Sequence, residues 1–228
     1  MPPRVVSLVP SVTETLLAWW IEPVACTRFC EQPQLHHVGG TKDPDLPAIG
    51  DLHPDLVVVD EEENRREDHD ALVAAGLAVH VLAVRDLAHL DDQLAGLAEA
   101  VGQRWTSIGP FEEPVPDRSA WVPIWKRPWM ALGEPTYGSA VLRSLGIANV
   151  AAPDGAYPEL EPEVVRARQP DLVVAPSEPY PFAERHRDEL ERVAPTVLVD
   201  GRDLLWWGAR TPGALERLGR VLGATPQR

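Results

Sequence analysis

Four consecutive acids, Asp60-Glu61-Glu62-Glu63, follow directly on the apolar run Leu56-Val57-Val58-Val59. Carboxylates packed this closely repel one another and hold their protons to higher pH, so the cluster suits a cationic or hydrogen-bond-donating ligand. The structural alternative is a solvated helix entry, favoured by the dipole of a helix starting near Arg65, and at least two of the four acids are expected to be only that. Glu62 is singled out by a repeat. Residues 54–58, Pro-Asp-Leu-Val-Val, recur at 170–174, and the same offset carries Glu62 onto Glu178 and Ile49 onto Val165.

Other chemistry is sparse. His36, His37, His69 and His80 form no known metal-ligand spacing, so a bare metal site built from His37, Glu62 and Glu178 is a minority reading. There is no G-x-S-x-G elbow, no G-x-G-x-x-G and no phosphate loop. Gly39-Gly40-Thr41-Lys42 lacks the upstream glycine, and Lys42 reads as a cleft hydrogen-bond donor or a partner for nearby acids. Were the chain an enzyme, Glu14, Glu62 and Glu178 would be the first acid and base groups to test.

Aromatic residues are the second signal. Trp125, Trp129, Tyr137, Tyr180, Phe182, Trp206 and Trp207 fall at or near expected strand ends, where flat rings offer large contact area to a planar ligand at small entropic cost. Trp121 reads as core. Trp129 and the Trp206-Trp207 pair read as ligand-facing, because one of two adjacent side chains on an extended segment must point away from the core.

The elements that would position these groups alternate between strand and helix. Strands are expected over residues 5–9, 56–59, 77–82, 121–125, 129–132, 170–174 and 196–199. A capping box, Ser11-x-x-Glu14, opens a helix with Leu16, Leu17 and Trp20 inward. Asn64-x-x-Glu67 opens another, which Gly76 ends. Further helices are expected at 136–145 and 182–193, with shorter turns at 45–52 and 161–168. From Asp86, apolar residues at 87, 90, 94, 97 and 101 predict one helix of about 16 residues, roughly 24 Å long. This pattern implies an α/β fold with parallel sheets and helices on both faces.

The 228 residues suffice for one large domain or two small ones. A formal net charge of -14 argues against nucleic acid and anionic membrane surfaces as partners. No run reaches the length of a membrane helix. The amino terminus, MPPRVVSLVPSVTETLLAWW, shows no signal-peptide pattern. A soluble cytoplasmic chain is therefore expected, the alternative being a trimmed mature form from the periplasm or cell surface. Cys26 and Cys30, spaced C-x3-C, leave the redox state open.

Pro10-Ser11-x-Thr13-Glu14, Gly39-Gly40-Thr41-Lys42-Asp43-Pro44, EEENR at 61–65, Lys126-Arg127-Pro128-Trp129-Met130, SEPYPF at 177–182 and WWGAR at 206–210 together resemble the helical-backbone substrate-binding proteins of ABC importers. The nearest branch is the cobalamin-binding, or helical backbone metal receptor, group, and the resemblance spans essentially the whole chain. It implies two α/β lobes joined by one long helix, with ligand in the cleft between them. It divides the chain into a lobe at 1–85, a helix at 86–104, a linker at 105–118 and a lobe at 119–228. Relatives of this kind carry a signal or lipobox Cys, absent here.

Ligands of open parallel sheets sit beyond the carboxyl ends of the strands, which gathers the same stretches. The expected ligand-binding set is Ser11, Thr13, Glu14, Thr41, Lys42, Glu62, Asn64, Trp129, Tyr137, Ser177, Glu178, Tyr180, Trp206 and Trp207, with no catalytic residue and no resident cofactor. The expected ligand is a corrinoid or another bulky metal chelate. Anionic siderophores fit less well, since only Lys42, Arg127 and Arg210 would offset the acids. A monomer is expected, with an ABC permease as partner. The second hypothesis is a cytoplasmic enzyme or sensor on the same scaffold.

Overall fold

The computed structural model describes residues 3–223, which divide into two compact units. Unit 1 comprises residues up to Val84, then Leu90–Ile108 and Trp207–Arg210; unit 2 comprises Arg85–His89, Gly109–Trp206 and the chain from Thr211.

Unit 1 is built on four parallel strands, β1 (Val5–Ser7), β2 (Ala25–Cys26), β3 (Leu56–Asp60) and β4 (Val79–Leu82), in the order β2-β1-β3-β4. Val6, Leu8, Val57 and Val59 fill its core with Ile49 and Leu72. Helix α1 (Pro10–Ala18) starts at a proline, whose missing N–H costs nothing at that position. Its cap, Val9, makes no side-chain bond, so Ser11 lies inside the helix and the expected capping box is absent. At the other end Trp20 takes the left-handed conformation (φ 62°), while its N–H reaches Leu17 O and that of Ile21 reaches Leu16 O. That closure turns Trp20 outward, 96% exposed, where helical periodicity placed it inward.

Helix α2 (Leu46–Asp51) is capped by Asp45, whose carboxylate accepts from Ala48 N. Helix α3 (Arg66–Ala74) ends at Gly76 (φ 81°), as its pattern predicts. Helix α4 (Leu90–Ala100) has 11 residues, about 16 Å, and is shorter than the expected rod. The reason lies in Asp86, which caps the N–H of His89 and holds a turn ahead of the helix.

Unit 2 contains β5 (Arg118–Trp121), β6 (Pro123–Trp125), β7 (Met130–Ala131), α5 (Tyr137–Ser144), β8 (Ile147–Asn149), α6 (Pro162–Ala167), β9 (Leu172–Pro176), α7 (Arg187–Leu190), β10 (Thr196–Val199), α8 (Gly201–Leu205) and α9 (Thr211–Leu222). Its parallel sheet runs β10-β9-β5-β8, and β6 and β7 form an antiparallel pair beside it. The expected helix at 182–193 is only a 3-10 turn at Glu184–His186 followed by α7, because the N–H of Ala183 is taken by His186 Nδ1.

The duplication is structural as well as sequential. Asp55 exchanges two bonds with Arg4: its main-chain N–H donates to Arg4 O (2.9 Å) and its carboxylate accepts from Arg4 N (2.7 Å). Asp171 repeats the exchange with Ser119, at 3.0 and 2.7 Å. Each Asp thus pins the start of its strand to the preceding central strand. Ile49 and Val165 occupy equivalent, fully buried places on α2 and α6.

Candidate functional site

In unit 1 the carboxyl ends of the strands are laced together by one amide. Asn64 Oδ1 accepts from Asp60 N (2.8 Å), while Nδ2 donates to Leu8 O (3.2 Å) and Thr41 O (3.0 Å). The segment after β1, the Gly-rich loop at 39–42 and the acidic loop at 61–63 therefore share one buried anchor. Lys42 Nζ donates to the carbonyl of Glu62 (2.5 Å) and binds the second loop to the third. Gly39 (φ 88°) lies where a Cβ would meet the main-chain oxygen of Asp43 at 2.5 Å, so the loop needs glycine at that position.

Within the acid run, Asp60 is 4% exposed. Its Oδ1 accepts from Glu62 N (2.9 Å) and Glu63 N (3.2 Å), and its Oδ2 is buried with no hydrogen-bond partner among the described residues. Burial raises its pKa to about 6, opposed by those two N–H groups and assisted by the charges of Glu63 and Glu62. Glu63 exposes part of its surface, yet protein around its carboxyl displaces solvent and raises its pKa too, with Lys42 opposing. Asp60 is thus the acid that shapes the loop, and Glu62 is the half-buried one left at its turn.

Several residues of the expected ligand-binding set are buried or bonded within the protein. Thr13 is fully buried, its hydroxyl set among Ser7 Oγ (2.8 Å), Val9 O (3.1 Å) and Cys30 Sγ (3.2 Å). Ser11 is buried and its carbonyl accepts from Thr15 Oγ1 (2.8 Å). Thr41 is buried and gives its carbonyl to Asn64. Glu14 is half-buried against Arg210 (3.3 Å), beside Ala209 N, which donates to Thr15 Oγ1 (3.1 Å). His37 is exposed and bonds Gln32 O, and no group of three or more His, Cys, Asp or Glu among the described residues could hold a metal ion.

In unit 2 five rings form a column from the core to the surface. Trp121 lies 5.6 Å from Trp129, Trp129 stacks at 6.1 Å and 11° on Phe182, Phe182 lies 4.7 Å from Tyr180, and Tyr180 meets Trp125 edge-on at 5.8 Å. Trp121 is fully buried and Trp125 is 43% exposed. Trp129, expected to face a ligand, is 8% exposed inside the column, with Lys126 Nζ 5.3 Å from its ring centroid. Sequence reasoning saw Trp125 among the aromatics and left it out of the ligand set. Its place as the last residue of β6, after buried Ile124, is the signal for its outward direction.

Tyr137 is also interior, its hydroxyl 2.9 Å from Thr211 Oγ1. Ser177 is exposed, and its Oγ accepts from Gly201 N (3.0 Å). Glu178 is half-buried, its Cγ so close to Gly201 that a Cβ there would lie 2.4 Å away. Of the adjacent pair, Trp207 is buried and Trp206 half-buried, so one ring stays outside the core as expected. The structure therefore places Trp125, Tyr180, Ser177 and Glu178 at the carboxyl ends of β6 and β9, and Trp206 just beyond α8.

No helix among the described residues is long and apolar enough to cross a membrane. No family model and no curated protein matches the sequence. Solved structures do. The periplasmic vitamin B12 binding protein BtuF of Vibrio cholerae matches with a TM-score of 0.77 at 18% identity over 97% of both chains. The periplasmic heme-binding protein RhuT of Roseiflexus sp. RS-1, in apo form, matches at 0.77 and 21% over 97% of this chain and 98% of that one. A periplasmic heme binding protein from Pseudomonas aeruginosa matches at 0.78 and 20%, over 100% and 96%. The resemblance read from the sequence holds at the level of fold: this chain is built like the periplasmic vitamin B12- and heme-binding proteins.

Proposed function

We propose that the chain is a non-catalytic receptor for a bulky, planar metal chelate, a corrinoid or a heme. The observation that carries this reading is the ring column of unit 2, which ends in Trp125 and Tyr180 at the mouth of the loop following β9. A half-exposed indole braced edge-on by a second ring is a rigid apolar platform that loses little entropy on binding. Ser177, Glu178 and Trp206 of the same unit supply the polar and aromatic contacts that orient the ligand; in unit 1, Glu62 and Lys42 are the polar groups at the strand ends. Residues 105–118 carry the chain from unit 1 into unit 2. The fold shared with vitamin B12- and heme-binding proteins supports the ligand class, and with it delivery to an ABC permease from the periplasm or cell surface, as a monomer.

Equilibrium dialysis of the purified chain against cyanocobalamin and against hemin, read by visible absorption, tests the proposal. Retention of one of them, weakened at least about tenfold in Trp125→Ala, is the expected result. Retention of neither overturns the ligand class.

A further inference from the structure

Cys26 ends β2, and Cys30 closes the 3-10 turn Arg28–Cys30 that follows it; both thiols are free and buried, and they pack together with Leu35. The ligand reading above makes no use of them. Cys30 Sγ sits in a cage of hydroxyls, 3.2 Å from Thr13 Oγ1 and 3.2 Å from Thr27 Oγ1, with the Cys26 thiol as a third neighbour. The Thr13 hydroxyl has three acceptors within reach, Ser7 Oγ (2.8 Å), Val9 O (3.1 Å) and Cys30 Sγ, so its proton can turn toward sulfur. Hydroxyls rotate to donate or accept. The same cage therefore holds Cys30 as a thiol or as a thiolate receiving three donors, whereas no such cage of hydroxyls surrounds Cys26 among the described residues.

We propose that Cys26 and Cys30 are a redox-active dithiol, with Cys30 the attacking sulfur and Cys26 the resolving one, and a low-molecular-weight disulfide of the glutathione type as oxidant. Cys30 thiolate attacks one sulfur of the disulfide; its S–S bond breaks, one thiolate leaves and a mixed disulfide forms on Cys30. Cys26 then gives up its proton and attacks Cys30 Sγ, expelling the second thiolate. In sum, two protein thiols and one small disulfide give the Cys26–Cys30 disulfide and two small thiols, so the chain is oxidised by two electrons and the small disulfide is reduced by two.

The asymmetry between the two sulfurs supports these roles. Donation from the Cys26 thiol and from the two threonines lowers the Cys30 pKa against the opposing effect of burial, and the Cys26 pKa is raised by its hydrogen bond to Cys30 and by burial. Access requires only one turn to open. Arg28, Phe29 and Glu31 around Cys30 are exposed, and the turn is held by Cys30 N to Thr27 O (3.1 Å), Arg28 N to Gly39 O (2.9 Å) and the exposed Arg28–Asp43 pair. Such short, solvent-facing segments open well before the whole chain unfolds.

The test is to incubate the reduced native chain with oxidised glutathione at neutral pH, quench with acid, alkylate, and map thiols by mass spectrometry. The two thiols should disappear together into a Cys26–Cys30 peptide, and Cys26→Ser should instead accumulate glutathione on Cys30. Thr27→Val, which keeps the shape and deletes one donor, should move the pH midpoint of iodoacetamide reaction at Cys30 upward, a readout that a purely structural threonine would leave in place. Thiols that stay reduced in the native chain and react only in denaturant overturn the proposal, as does an unmoved midpoint in Thr27→Val. The wild-type mapping decides the matter even where a cysteine variant fails to fold.

Discussion

Asn64 and Asp60 hold each other's backbone in unit 1: the Asn64 side chain accepts the Asp60 N–H at 2.8 Å, and the Asp60 carbonyl accepts the Asn64 N–H at 3.0 Å. Between them the chain makes the tight turn that presents Glu61, Glu62 and Glu63. The four acids thus end a buried strand because the first of them builds the turn on which the others stand.

Asn64→Ala removes three hydrogen bonds at a buried site and orphans Asp60 N, Leu8 O and Thr41 O. A loss of about 2–4 kcal/mol is expected, read from the midpoint of urea unfolding. Asn64→Asp keeps the acceptor for Asp60 N but turns an acid's oxygen toward two carbonyls, so it should cost at least as much. An alanine variant as stable as the parent would show that the three loops are held by something else.

Asp60 makes stability depend on pH in a direction opposite to that of a salt-bridged acid. Its folded pKa of about 6 lies above the ordinary value of 3.8, so the folded chain keeps the proton through a range in which the unfolded chain has lost it. The resulting stabilisation is full below about pH 4 and disappears as pH rises through 6, a swing of up to about 3 kcal/mol. Asp60→Asn cannot titrate and keeps an oxygen for Glu62 N and Glu63 N. It should gain on the parent by most of that amount between pH 4 and pH 7.5 in urea titrations; parallel pH profiles for the two proteins would refute the assignment.

What could be read in advance follows from how local each cause is. The repeat located β3 and β9 because the same Pro-Asp start and the same apolar run are needed twice, and Asp55 and Asp171 do make the same exchange. Gly76 ended α3 as its type requires. Trp20 defied its helical period because the α1 terminus needed a left-handed residue and no glycine was available there. Thr13, Asn64 and Trp129 were recognised as belonging to the strand-end regions, yet each also has a partner 17 to 56 positions away. Whether such a side chain faces solvent or an unsatisfied partner is decided by packing, which spacing along the chain does not encode.

Gly208 fixes the segment at Trp207–Arg210 against α1. Its φ of 121° is poorly tolerated by other residues, and a Cβ there would lie 2.1 Å from Thr15 Oγ1. Gly208→Ala therefore strains the backbone and displaces the hydroxyl that receives Ala209 N, for an expected loss of about 2–4 kcal/mol. Pairing it with Thr15→Ala, which removes the obstructing hydroxyl, should recover part of the loss in a double-mutant comparison by thermal unfolding. Strictly additive losses would place the cause in backbone strain alone.

The two ends of the ring column should respond differently to truncation. Trp129 is enclosed by Trp121 and Phe182, so Trp129→Ala opens a cavity in the core of unit 2 and should cost about 3–5 kcal/mol. Trp125 is half open and touches Tyr180 only by its edge, so Trp125→Ala should cost about 1 kcal/mol of stability while removing chelate binding. Guanidinium unfolding and dialysis on the same two proteins separate the effects: the expected outcome is that Trp129→Ala loses stability and, where folded, still binds, whereas Trp125→Ala folds and loses retention. A Trp125→Ala protein with undiminished retention of a chelate that the parent binds would remove Trp125 from the site and leave Tyr180 and Trp206 as the ring contacts to test.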